Sequence, residues 1–108
     1  MAFTVRLAPG ARNDLRAIHA YIAKSDSIEN ADYVSREILR AAMTLADFPD
    51  RGAHPPELLL KGNTTYRQTF LKPYRILYRI SANTVLIVLI ADGRRDMAPL
   101  LARRLSPS

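Results

Sequence analysis

Apolar positions along this chain recur first at a period of two, then at the helical period, then at two again. Phe3, Val5 and Leu7 alternate with Thr4 and Arg6, which predicts a short strand over Phe3–Leu7. Pro9 and Gly10 then punctuate the chain. From Ala11 to Lys24 the apolar residues Ala11, Leu15, Ile18 and Ile22 fall on one helical stripe. Ser25-Asp26-Ser27 interrupts that pattern and supplies capping chemistry for a second helix, predicted from Glu29 to Asp47. Ala31, Val34, Ile38, Ala42 and Leu45 form its apolar stripe, while Arg36, Glu37 and Arg40 face outward. So short a connection packs two helices as an antiparallel hairpin. Pro49, Gly52, Pro55 and Pro56 end helical structure.

Beyond Pro56 the period returns to two. Glu57–Lys61 reads as a short strand or a turn, Tyr66–Leu71 as a strand and Tyr74–Ile80 as another. Tyr74, Ile76, Tyr78 and Ile80 share one face of that last strand, and Arg75, Leu77 and Arg79 share the other. Lys72-Pro73 is placed to join the two strands as a hairpin. Val85–Ala91 is continuously apolar, the mark of a strand buried on both faces. Asp92-Gly93 makes a turn, and Met97–Leu105 carries a short helical pattern. The predicted fold is α+β, one domain over residues 1–108: an N-terminal strand, an antiparallel helical hairpin packed on a small antiparallel-rich sheet, and a short C-terminal helix.

Composition narrows the chemistry. The 108 residues contain no cysteine, which excludes disulfides and zinc-thiolate sites and suits a reducing cytoplasm. The charged N-terminal stretch does not read as a signal peptide, and Val85–Ala91 is too short to cross a bilayer, so no membrane association is expected. Only four glycines are present and none forms a phosphate-binding loop; His19 and His54 are isolated, so neither a cofactor nor a metal is expected. The net charge of +6 is unevenly placed: residues 1–60 hold seven Lys/Arg and eight Asp/Glu, residues 61–108 nine Lys/Arg and two Asp. A localised positive field attracts RNA, DNA or an acidic polypeptide, although a solvated, solubilising surface has the same composition.

The candidate site is therefore made of arginine and lysine. Arg75 and Arg79 project from one strand face and Arg67 lies on the preceding strand, so pairing brings them toward a common surface with Lys61 and Lys72 nearby. Arg94 and Arg95 leave the sheet just past the buried strand. Arginine clusters hold phosphates in bidentate geometry and stabilise developing charge on a phosphoryl group. Since the hairpin must cover one sheet face, these side chains are expected on the open face or its rim. The competing reading is a solvated face with ion pairs to the helices. Arg103 and Arg104 suit the C-terminal end of the last helix.

Several stretches taken in order resemble the RelE/ParE toxins of bacterial type II toxin–antitoxin modules. They are Ala8-Pro-Gly-Ala-Arg-Asn-Asp-Leu15 running into Ile18-His-Ala-Tyr-Ile22, Asn30-Ala31 at the second helix, and Leu45-Ala-Asp-Phe-Pro-Asp-Arg-Gly52 at its end. Tyr66-Arg67, Tyr74-Arg-Ile-Leu-Tyr78 and Gly93-Arg-Arg-Asp96 complete the series. The resemblance covers nearly the whole chain and implies a toxin held in check by an antitoxin. The RelE-like branch implies a ribosome-dependent mRNA endoribonuclease, with Arg67, Arg75 and Arg94 handling phosphate. The ParE-like branch implies inhibition of DNA gyrase without catalysis. RNA cleavage requires acid and base groups, and the family's nucleases often carry a C-terminal Tyr or His; here neither occurs after Tyr78. That departure, the long hairpin and the Gly-Arg-Arg-Asp element resemble ParE. The implied antitoxin has an acidic, flexible segment that folds onto the toxin. It is expected on the basic sheet rim and in a groove along the hairpin's apolar residues Leu15, Ile18, Ile22, Ile38 and Leu45.

Overall fold

The computed structural model describes residues 2–105. β1 (Thr4–Leu7) leads into α1 (Pro9–Ser25) and α2 (Ile28–Met43), which a 3-10 turn extends over Thr44–Ala46. A short α3 (Pro56–Leu59) follows, then β2 (Tyr66–Leu71), β3 (Tyr74–Ser81), β4 (Thr84–Asp92) and α4 (Met97–Leu105). The sheet order is β1-β4-β3-β2; β1 runs parallel to β4 and the other pairs are antiparallel. The architecture is the predicted one.

Three local expectations are corrected. Pro9 opens α1 rather than preceding it, because proline at a first helical position loses no hydrogen bond and already has a helical φ. Pro56 does the same for α3, so Glu57–Lys61 is neither strand nor turn throughout: its first part is helical, with Leu58 buried. α2 proper ends at Met43, the rest of the predicted span being 3-10. Its start is as expected, since the Ser27 hydroxyl accepts from the Asn30 amide at 3.0 Å.

The hairpin covers one sheet face. Ala11, Ile38, Ala42 and Leu45 meet Ile76, Tyr78, Val85, Ile87 and Ile90 there, with Val5, Leu7, Leu15 and Ile18 at the margin. The opposite face is not open along its length. Leu58 of α3 and Met97, Leu100 and Leu101 of α4 pack on Leu77, Leu89 and Ala91. β4 serves both cores through a bulge: Leu77 pairs with Leu89 but Tyr78 with Ile87, leaving Val88 as an extra residue. The insertion reverses the alternation, so Ile87 and Ile90 face the hairpin while Leu89 faces α4. A bidentate ion pair fixes α4 to the rest, Arg104 Nη1 and Nη2 donating to Asp14 Oδ1 and Oδ2 at 2.8 and 3.0 Å.

Candidate functional site

The turn between β2 and β3, the end of β4 and the loop after it gather at one end of the sheet. Lys72-Pro73 makes the turn, and the Gly93 amide donates to the Pro73 carbonyl at 2.7 Å. A side chain at position 93 would meet Arg75 Cγ at 3.0 Å and the Pro73 oxygen at 3.2 Å, so the close approach favours glycine, and a larger residue would have to displace the Arg75 side chain by a few tenths of an ångström. A groove of about 380 Å³ runs here past Glu57, Gln68, Phe70, Lys72 and Arg75.

Arg75 is 7% exposed, not on an open face. Its Nη1 and Nη2 donate to the two Glu57 carboxylate oxygens, each at 2.9 Å, and its Nε donates to Gln68 Oε1 at 2.8 Å. Those hydrogen bonds from Arg75 hold the Glu57 carboxyl below the usual glutamate range. The expected open arginine face is corrected on this point: Glu57 of α3 and Gln68 of β2 close it around Arg75.

Arg67 does not join Arg75 and Arg79. It pairs across the ladder with Tyr78 and therefore shares the hairpin-side face, whereas Arg75 and Arg79 point to the other. Its Nη1 donates to the Gly52 carbonyl at 2.7 Å, and Asp50 lies 3.9 Å from Nη2. The same segment is clamped by Tyr78, whose hydroxyl donates to the Pro49 carbonyl and accepts from the Gly52 amide. Arg79 is exposed toward the far end of the sheet, and Lys61 and Lys72 are exposed. Arg94 is exposed and grips Asp92, with Nη2 at 2.6 Å from Oδ2; Arg95 is exposed beside it.

A second groove, of about 430 Å³, lies between α1 and the end of the sheet, lined by Ile18, Tyr21, Ile22, Tyr74, Arg94 and Arg95 among others. Burial, followed by the Asp92 charge, raises the Tyr74 phenol above its ordinary value, so it is a proton donor and not a base at neutral pH. Leu15, Ile18 and Ile22 keep margins of exposed surface, but Ile38 and Leu45 have none. As members of the hairpin core, Ile38 and Leu45 cannot form part of a partner-binding groove while the fold is intact, which corrects that expectation.

A family model described as "ParE toxin of type II toxin-antitoxin system, parDE" matches residues 5–97. The chain belongs to the ParE toxin family. As a ParE-family toxin it is the toxin component of a type II toxin–antitoxin system. No curated protein sequence matches it. Its fold is similar to that of the chromosomal ParDE toxin–antitoxin system from P. aeruginosa, with TM-score 0.71 and 19% identity over 84% of this chain and 96% of that one. It is also similar to the toxin–antitoxin complex RelBE2 from Mycobacterium tuberculosis, with TM-score 0.64 and 23% identity over 85% of this chain and 99% of that one. A mutant of the E. coli toxin RelE in the free state aligns with TM-score 0.61 and 12% identity, over 99% of this chain and 100% of that one.

Two partners in this ParE-family toxin escaped the sequence. Glu57 lies in a Pro-rich stretch with no periodicity and meets Arg75 only because α3 forms. Tyr21, 74% exposed, lies one turn from Ile18 on α1; the usable signal in the sequence was an aromatic residue beside the apolar stripe of Leu15, Ile18 and Ile22. Among the described residues no group of His, Cys, Asp or Glu has metal-site geometry, and no helix is long and apolar enough to cross a membrane.

Proposed function

We propose that this toxin arrests growth in the cytoplasm by inhibiting DNA gyrase, and that a cognate antitoxin with an acidic, flexible segment neutralises it. The match to the ParE family supports the target. The observation that carries the choice over RNA cleavage is the state of Arg75. A nuclease needs that guanidinium free to meet a phosphate, yet two Glu57 oxygens and Gln68 already take its donors. Arg67 is likewise engaged by the Gly52 carbonyl, and Arg94 by Asp92. The groove with Tyr21, Tyr74 and Arg95 offers apolar and cationic surface to a protein target, and the two carboxylates that line it, Asp92 and Asp14, are held in ion pairs by Arg94 and Arg104 instead of standing ready to deprotonate a 2′-hydroxyl.

The measurement is supercoiling by purified gyrase titrated with purified toxin, alongside primer extension on ribosome-bound mRNA. Loss of supercoiling with intact transcripts is the expected result. Full supercoiling at excess toxin, or new cleavage ends in the mRNA that vanish in Arg94→Ala, would transfer the chain to the ribonuclease reading.

A further inference from the structure

Residues 1–60 are slightly acidic by count, yet folding gathers uncompensated positive charge along one seam of the hairpin. A groove of about 270 Å³ runs between α1 and α2, lined by Arg12, Leu15, Arg16, His19 and Ser35. Arg12 and Arg16 are exposed, and among the described residues neither has a carboxylate within ion-pair distance. Arg16 Nη1 donates to the neutral Asn13 Oδ1 at 3.0 Å. Carboxylates of this half of the chain are drawn elsewhere, Asp14 to Arg104, Glu37 to Arg40 and Glu57 to Arg75. At the end of the seam Asp32 Oδ1 is held 2.7 Å from His19 Nε2. Arg12 stands in the first turn of α1, which holds no acidic residue, although a cation is unfavourable at that positive end of the helix dipole. The Ser35 hydroxyl oxygen is closed off from solvent and has no hydrogen-bond partner, a rare state for a polar atom. Neither feature helps to hold the hairpin together.

We propose that this seam binds the phosphate backbone of duplex DNA. Arg12 and Arg16 meet neighbouring phosphates, and a change of rotamer turns the Ser35 hydroxyl into the groove, where it donates to a phosphate oxygen. A helix rises about 1.5 Å per residue, so the two arginines leave α1 about 6 Å apart along its axis. Each guanidinium offers a phosphate a fork of donors. Contacts of this kind fix a protein on a duplex without reading its bases, so arginine and hydroxyl donors suffice. A single strand fits less well, because its bases are held by stacking; the ring in this groove is that of His19, and Asp32 engages it. An acidic helix fits less well too, since it needs an apolar floor and Leu15 alone supplies one. The groove with Tyr21 and Asp14 lies on the other flank of α1, so both surfaces can be occupied at once. The inference adds a DNA contact to the proposed action on gyrase, an enzyme that works on DNA, and does not depend on that action.

The test is fluorescence anisotropy of a labelled DNA duplex of mixed sequence, titrated with purified toxin at several salt concentrations. Wild-type affinity is expected to fall linearly with salt on logarithmic axes. Arg12→Ala/Arg16→Ala should make that slope shallower by about 1.8, the share of two phosphates, and weaken low-salt binding by at least about tenfold. Arg12→Gln/Arg16→Gln, which keeps the length of the side chains, should do the same if alanine loosens the hairpin. Ser35→Ala should weaken binding by about threefold with the slope unchanged, because a hydroxyl carries no charge. Arg6→Ala/Arg79→Ala removes equal charge from exposed positions on the sheet and should alter slope and affinity little. Equal losses in the sheet and seam pairs would mean diffuse attraction to net charge, and the proposal falls. It falls as well if wild-type toxin does not bind the duplex, or if the seam pair loses single-stranded RNA and keeps DNA. Displacement of the duplex by inorganic phosphate, beyond the effect of chloride at equal ionic strength, would make a free anion the ligand and overturn it. An unchanged Ser35→Ala variant overturns the role of the hydroxyl. Gyrase supercoiling run on the same proteins keeps the readings apart: DNA binding without inhibition sinks the gyrase reading alone, and inhibition without DNA binding sinks this inference alone.

Discussion

Arg75 brings a permanent charge to a position where β2, β3 and α3 close over it, and Glu57 with Gln68 makes that burial tolerable. Removing one member of such a pair leaves the other charge desolvated, which costs more than the pair contributes against water. The Glu57 side chain keeps 30% of its surface, so Glu57→Gln is expected to cost about 1–2 kcal/mol in denaturant unfolding at neutral pH. The pair also fixes a pH dependence. Arg75 lowers the Glu57 pKa in the folded state, so the stabilisation is complete above the ordinary glutamate range and is lost as pH falls through the lower, folded value. Wild-type stability should thus decline in acid below the ordinary glutamate range, and Glu57→Gln should flatten that limb; an unchanged acid limb in the variant means other carboxylates cause it. Gly52 poses a different constraint: a Cβ there would lie 2.5 Å from the Gln68 carbonyl oxygen and 2.6 Å from the Tyr78 hydroxyl. Gly52→Ala should therefore lower the melting temperature by displacing backbone, with a loss of about 2 kcal/mol or more. A melt that matches wild type would mean that the loop over Tyr78 yields easily.

Among the elements, α4 decides how much of the sheet stays open, and its attachment is both apolar and ionic. Met97, Leu100 and Leu101 enter the core beneath it, while Arg104 reaches Asp14 on α1 and the Val88 carbonyl on β4. Asp14 is needed twice, since its Oδ2 also accepts the Ile90 amide at 2.9 Å. Truncating Leu101 to Ala is expected to cost about 2–4 kcal/mol. Asp14→Asn and Arg104→Ala should couple by about 1–2 kcal/mol in a double-mutant cycle, because the two side chains share hydrogen bonds. Strictly additive losses would show that α4 is held by its apolar face alone. These contacts also mark where sequence reading ran out. Periodicity located both hairpin helices and all four strands because each buries a regular stripe, and the Ser27 cap was legible as a local signal. The Asp14–Arg104 pair joins residues 90 apart, and no local pattern announces it. A single inserted residue at Val88 reverses the alternation, so strand parity alone could not assign Leu89 to its side.

At the scale of the molecule, the separation of charge along the sequence becomes a separation in use. The basic excess of residues 61–108 was legible from counting, as was the placement of Arg79 and Arg95 at the surface; the engagement of Arg67, Arg75, Arg94 and Arg104 was not, because each finds its partner or fixes its face through folding. Arginines held in pairs contribute little net field, so attraction of a polyanion falls to exposed groups such as Arg6, Lys61, Lys72, Arg79 and Arg95. Such groups act over a distance of about 8 Å at physiological ionic strength, which affects encounter more than the docked complex. For the antitoxin this yields a kinetic expectation. Stopped-flow association should slow steeply between low and high salt, while dissociation, governed by apolar contacts excluded from solvent, changes little. If association is flat across that range, the basic surface does not steer the partner, and the asymmetry of charge in this chain serves solubility instead.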